Sequence, residues 1–330
     1  MKTAIFGFPG SGKTDLFLAL AGPKFKNLNK AMVKVPEPRL DPLIELFNPK
    51  KITYTEIEYN DLPGAIKGKS LSNKLLSEIR PFDCLIGVLD GFSGINSPEE
   101  QWNIIETDFI LSDLSVIEKR LEKLVKDKKK DVFEEELLLK AKEFLEKEKP
   151  LRENNELISA PELKGYRFLS AKPILYIWNV SEDDLNRKII SEKKLNQKHI
   201  TLSVKLEREM SEIDDEEELK FFQQEYGIQE SALKKVIKST YELLDLITFL
   251  TAGEKEVRAW PLKKGSTADE AGGVIHSDIQ RGFIRAEVLS WEDFLKYKDF
   301  KVAKKNGALR LEGRDYIVKD GDIITFYFNV

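Results

Sequence analysis

Eight residues near the N-terminus constrain this chain more than any others: Gly7-Phe8-Pro9-Gly10-Ser11-Gly12-Lys13-Thr14 satisfies G-x-x-x-x-G-K-[ST] in full. The apolar run from Thr3 to Phe6 predicts a short strand before it, and Asp15 to Ala21 predicts a helix after it. Glycines at this spacing let the backbone curl until its N–H groups converge on an anion, and the helix adds the positive end of its dipole. Lys13 brings a cation to the β- and γ-phosphates of a nucleoside triphosphate, and the Thr14 hydroxyl is placed to ligate Mg2+. The loop from Phe8 to Asp15 is therefore the expected phosphate-binding segment. A chance glycine turn is the competing reading, and the flanking strand and helix weigh against it.

Two later motifs fit the same chemistry. Asp61-Leu62-Pro63-Gly64 follows a predicted strand, Tyr54 to Asn60. An acid at a strand end followed by a glycine suits the second half of a GTPase-like site, with Asp61 holding Mg2+ through water and the Gly64 N–H sensing the γ-phosphate. Lys13, Asp61 and Gly64 are the candidate catalytic groups. Asn179-Val180-Ser181-Glu182 follows the apolar run Ile174 to Trp178, where ordinary GTPases carry N-K-x-D to read guanine. Here Val180 replaces the lysine and Glu182 the aspartate, which weakens the case for guanine. Ser203-Val204-Lys205 ends the next predicted strand, Ile200 to Val204, where such proteins close the base pocket.

Strands alternating with helices predict a mainly parallel α/β sheet, with further strands at Met32 to Val35 and Cys84 to Leu89. Between Ile110 and Glu148 apolar residues recur at three-and-four spacing, interrupted at Lys126 to Asp131. Two antiparallel helices forming a coiled-coil arm explain this, and helices packed on the sheet are the alternative. From Leu246 the texture becomes β-rich, with strands expected at Val257–Leu262, Phe283–Leu289, Tyr316–Val318 and Ile323–Asn329. A helix is expected from Thr267 to Ile275 and turns at Gly313-Arg314 and Asp320-Gly321. The expected division is a nucleotide-binding domain over 1–245, with the arm inserted at about 110–148, and a small module over 246–330.

Composition limits the function classes. The net charge of −4 argues against a globally basic DNA or RNA binder and leaves a local basic patch open. One cysteine, Cys84, rules out an internal disulfide and sits in an apolar run that suits a buried thiol. No apolar stretch approaches the roughly 20 residues that span a bilayer, and no signal-peptide pattern opens the chain, so a cytoplasmic protein is expected.

Several long motifs resemble the YchF/Obg-like ATPase family of translation-factor-related P-loop proteins. They are Val35-Pro36-Glu37-Pro38-Arg39-Leu40-Asp41, Asn179 to Glu182, Gly253 to Trp260, Gly282 to Ala286 and Gly313 to Asp322. The resemblance runs almost end to end. It implies a G domain with an inserted helical arm, a C-terminal TGS domain of β-grasp type, ATP binding at least as good as GTP binding, and association with ribosomes and ribosomal RNA. The chain departs from that pattern at the nucleotide. Asp15 replaces the hydroxyl expected beside the α-phosphate, no threonine lies between Thr14 and Thr53, Ala65 follows Gly64, and Gly87 stands where relatives often carry histidine.

Other residues take plainer readings. Trp260 and Phe283 are expected in the core, His276 caps or packs with RNA contact as the alternative, and Lys126 to Lys130 is a solvated tip that could touch RNA. The leading expectation is an Mg-ATP-dependent switch with slow hydrolysis that engages the translation machinery. A non-hydrolysing, nucleotide-gated scaffold is the rival, and a small-molecule kinase is weaker because no acceptor motif is visible.

Overall fold

The structure, a computed structural model, describes residues 1–64, 66–67, 70–126, 132–185 and 199–329. These form two compact units: Met1–Val33 with Glu58–Val236, and Lys34–Ile57 with Ile237–Val330.

The first unit is built on a six-stranded sheet in the order Lys30–Lys34, Glu56–Asp61, Lys2–Gly7, Cys84–Asp90, Ile174–Asn179, His199–Leu202. The last five pair in parallel. Cys84–Asp90 and Ile174–Asn179 are buried at every position, as continuous apolar runs require when helices cover both faces. Ala4, Phe6, Leu85, Tyr176 and Trp178 pack with Ile105 and Phe109 in one core. The register sets Ile5 beside Asp61 and Asp90 beside Asn179, so the glycine loop, Asp61 and Asn179 meet at the carboxyl edge of the sheet. That edge is where open parallel sheets hold ligands. One expected strand ends early: His199–Leu202 stops before Ser203, and Val204 opens the helix Val204–Glu212.

The helical segment begins earlier than its periodicity suggests. One helix runs from Pro98 to Lys126 and a second from Val132 to Glu146. Ile105 and Phe109 join the sheet's core, whereas Ile110, Ile117 and Leu124 pack against Leu137, Leu138, Ala141 and Leu145. Within the expected segment the two helices therefore pack on each other, and the part of the long helix that packs on the sheet lies before Ile110. Ion pairs Arg120–Glu134 and Lys142–Glu118 set the two helices antiparallel. Of the basic run at the tip, residues 127–131 lie outside the described residues.

The second unit contains a mixed sheet in the order Arg310–Glu312, Phe283–Leu289, Ile323–Phe328, Leu246–Thr251, Val257–Lys263, Ile52–Thr53. Leu246–Thr251 runs parallel to Ile323–Phe328 and antiparallel to Val257–Lys263. Its strands alternate between two cores. Phe249, Trp260, Val288 and Ile324 face Ala268 and Ala271 of the helix Ala268–Ile275. Leu250, Ala259, Leu289 and Ile323 face Leu40, Leu43, Phe294 and Ala303. Period-two alternation with both faces covered makes this a mixed sheet with helices on each side.

This arrangement differs from the division expected at 245/246, because Lys34–Ile57 packs with the C-terminal segment. Two family-like motifs meet there. Arg39 donates to both Glu37 oxygens at 2.6 Å and to Asp320 at 2.7 Å, and Asp320 accepts from the Thr248 N–H at 2.8 Å. Tyr316–Val318 is no strand; Ile317 makes only an isolated bridge to Thr267, while the unforeseen strand Arg310–Glu312 forms the sheet edge. Trp260 and Phe283 are buried, and the His276 side chain caps Ser277–Arg281 by accepting from the Asp278 N–H.

Candidate functional site

The glycine loop adopts the conformation its residues allow. Gly10 and Gly12 have φ of 78° and 89°, left-handed values that a side chain would resist. Gly12 is the N-cap of the helix Lys13–Ala21, whose first-turn N–H groups have no intrahelical acceptors and point toward the loop. Phe8 does not reach the cleft; its ring lies in the sheet core, so any contact from Phe8 comes from its backbone. Ser11 is fully buried, and Pro9 is exposed outside the cleft lining.

The expected metal residues come together. Thr14 donates its hydroxyl to Asp61 Oδ2 at 2.8 Å, across 47 residues of sequence. Asp61 Oδ1 is buried without a protein partner. Burial raises the Asp61 carboxyl above its ordinary range, opposed by the Thr14 hydrogen bond and the Lys13 charge. An orphaned carboxylate oxygen beside a hydroxyl suits a hard divalent cation with its waters. Gly64 lies against Lys13: a Cβ there would stand 3.0 Å from Nζ and 3.3 Å from the Gly7 carbonyl oxygen. Ala65 lies outside the described residues.

A cleft of about 880 Å3 opens from this point, lined by Gly10, Gly12 to Asp15, Phe92, Asn179 to Asp183, Ser203 to Lys205, Arg208, Glu209 and Glu212. Such a volume accommodates a nucleotide-sized ligand. Asn179 faces the loops as well as the cleft. Its Nδ2 donates to the Ser11 carbonyl at 2.9 Å, and its Oδ1 accepts from the Val204 N–H at 3.0 Å. The asparagine thus ties the glycine loop to the start of the helix Val204–Glu212, a positioning role. Val180 is buried, with its N–H bonded to the Leu202 carbonyl. Glu182 is engaged by Lys205 at 2.6 Å. Phe92, exposed on the loop after Cys84–Asp90, forms part of the wall.

Lys205 and Arg208 carry charge into the cleft; Lys205 belongs to the segment expected to close the base pocket, whereas Arg208 was not among the residues expected from sequence. Arg208 Nη1 pairs with Asp15, and its Nε reaches Glu212 at 3.3 Å. The available signal was their placement on the first turns of a helix leaving the base loop, where spacing of three sets Lys205 and Arg208 on one face.

Two buried polar clusters lie elsewhere and hold structure. Tyr176 donates to Glu106 at 2.6 Å, and Arg152 pairs with the other Glu106 oxygen at 2.7 Å. Asp113 receives Arg80, the Leu169 and Ser170 N–H groups and the Ser170 hydroxyl. Gly87 makes room for the first of these, since a Cβ there would lie 2.8 Å from the Tyr176 ring.

Comparison with known proteins places this geometry. The YchF-GTPase C-terminal family model, described as a protein of unknown function (DUF933), matches residues 246–329. Ribosome-binding ATPase YchF of Bacillus subtilis is 42% identical over 365 residues, covering 100% of both chains. Ribosome-binding ATPase YchF of Escherichia coli O157:H7 is 37% identical over 367 residues, covering 100% of this chain and 99% of its own. Among solved structures, the Schizosaccharomyces pombe YchF GTPase superposes with a TM-score of 0.88 at 28% identity, covering 99% of this chain and 97% of its own.

Proposed function

The chain belongs to the YchF family, and from that premise we propose that it is a ribosome-associated switch that binds Mg-ATP in the cleft beside Lys13 and hydrolyses it slowly. As a P-loop nucleotide hydrolase it needs little beyond positioning and charge compensation, because phosphoryl transfer asks for little covalent chemistry from the protein. The observation that carries the reading is the Thr14–Asp61 contact beside Lys13 and Gly64. Thr14 and Asp61 would hold Mg2+, which when bound offsets charge on the β- and γ-oxygens. Lys13 would supply a fixed cation, the loop N–H groups would orient the phosphates, and the Gly64 N–H would sense the γ-phosphate.

ATP is the proposed nucleotide, with GTP the second choice. Glu182 is already paired with Lys205, and Val180 is a buried apolar side chain with no hydrogen-bonding group, so neither stands ready to pair with guanine. A site tuned to guanine would reject adenine strongly, because buried polar groups would go unpaired. The helical pair and the β-grasp unit, a TGS-type module in this reading, are the surfaces proposed to face the ribosome and its RNA. No helix among the described residues is long and apolar enough to cross a membrane, which is compatible with work in the cytoplasm.

Calorimetric titration of ATP and GTP side by side, with and without Mg2+, tests the assignment. ATP binding as tight as GTP or tighter, strengthened by Mg2+ and nearly abolished in Lys13→Ala, is the expected result. GTP binding a hundredfold tighter would reverse the base assignment, and undiminished ATP binding in Lys13→Ala would remove the site.

A further inference from the structure

The cleft is built for an anion, yet acids outnumber cations on its walls. Asp15, Glu182, Asp183, Glu209 and Glu212 line it against Lys13, Lys205 and Arg208. The pairings decide whether a triphosphate can enter. Glu182 is taken by Lys205 and Asp15 by Arg208, which also reaches Glu212, leaving Lys13 for the ligand. Asp15 is the critical member. It lies in the first turn of the helix that receives the phosphates, one residue beyond Thr14. An unpaired carboxylate there would oppose the charge of the phosphates.

Arg208 reaches Asp15 from the helix Val204–Glu212, 193 residues away in sequence. Its Nε contact to Glu212, four residues on, holds the guanidinium over the cleft from its own helix. A planar guanidinium can engage two carboxylates at once from one side chain, which a lysine does less well.

We propose that Arg208 is a positioning residue for nucleotide binding: by holding Asp15 and Glu212 it neutralises the acidic wall of the phosphate cleft, and phosphate affinity depends on that neutralisation. The inference rests on the nucleotide-binding reading above. It requires the loss of Arg208 to be felt through Asp15, so removing Asp15 as well must undo the damage.

The experiment is a cycle of Arg208→Gln, Asp15→Ser and the double variant in the full chain, titrated with Mg-ATP and Mg-ADP. Arg208→Gln should weaken ATP binding by about tenfold or more, and ATP more than ADP because the triphosphate carries more charge. The double variant should return to within about threefold of the wild type, which marks coupling between the two sites. Arg208→Lys, which keeps the charge, should fall between. The thermal midpoint without nucleotide should be alike in all variants, which separates an effect on the cleft from an effect on folding. Wild-type affinity in Arg208→Gln would overturn the proposal, and so would a double variant as weak as the single one. Failure of the wild-type chain itself to bind ATP would instead count against the underlying site.

Discussion

Gly12 and Asn179 approach so closely that a Cβ on Gly12 would stand 2.4 Å from Asn179 Nδ2. That nitrogen donates to the neighbouring Ser11 carbonyl, while Asn179 Oδ1 accepts from Val204. One amide therefore sets the spacing between the glycine loop and the loop at Ser203–Val204, the segments proposed to take the phosphates and the base. Asn179→Ala leaves two buried backbone groups unpaired, at about 1–3 kcal/mol each. ATP affinity should fall by about 10–100-fold, at 1.4 kcal/mol per factor of ten. Gly12→Ala should do at least as much harm, since its φ of 89° adds backbone strain to the clash. Titration calorimetry of both variants checks this, with near wild-type affinity in Asn179→Ala the outcome against it.

Arg39 plays a comparable part in the second unit, holding Glu37 beside it and reaching Asp320 across 281 residues of sequence. Glu37 is nearly buried and Asp320 is half exposed. Charge-assisted bonds of this kind contribute about 1.5–3 kcal/mol, less for the exposed half. Arg39→Ala should therefore lower stability by about 2 kcal/mol while leaving ATP affinity close to the wild type. Chemical denaturation read alongside ATP titration separates the two effects. A variant that keeps its stability would show that the bridge is ornamental.

Cys84 is fully buried, and burial pushes its thiol up to about 12. The thiolate is the reactive form, so at pH 8 the native protein should resist aromatic disulfide reagents and iodoacetamide. One thiol should react once the chain is unfolded in denaturant. Rapid labelling of the native protein would mean that the central strand opens readily.

The nucleotide loop was legible because everything it needs is contiguous: glycines, Lys13 and Thr14 lie within eight residues. Asp61 and Asn179 were legible for a related reason, since each ends an apolar strand and a parallel sheet brings such ends to one edge. Contacts set by tertiary packing were harder to read. Arg208 meets Asp15 only because the helix Val204–Glu212 packs beside Lys13–Ala21. Lys34–Ile57 packs with the C-terminal segment, an excursion into another core and back that a chain-order reading does not anticipate. Tyr316 to Val318 has a strand's composition, but Ile317 finds one bridge and no ladder. Propensity there was overridden by packing.

The rate of hydrolysis is the property these residues constrain most sharply. Lys13, Thr14 and Asp61 supply electrostatics, but attack on the γ-phosphate also needs a water held in line. Thr14 and Thr53 have no threonine between them, so a second hydroxyl for the metal is missing from the first switch. The strand position where relatives often carry histidine is Gly87, and it is closed, because even a Cβ would come within 2.8 Å of the Tyr176 ring. The chain's two histidines are engaged elsewhere: His199 stacks on Trp178, and His276 caps a helix of the second unit. Turnover by the purified protein should therefore stay well below about 1 per second, in the range of unassisted GTPases. A partner supplying an arginine in trans could raise it by about 10³–10⁵. Asp61→Asn should reduce even the basal rate, by weakening the cation's seat beside Thr14. Steady-state phosphate release with and without ribosomes measures both states. Fast release by the protein alone that survives Asp61→Asn would mean that the catalytic groups lie outside the residues named here.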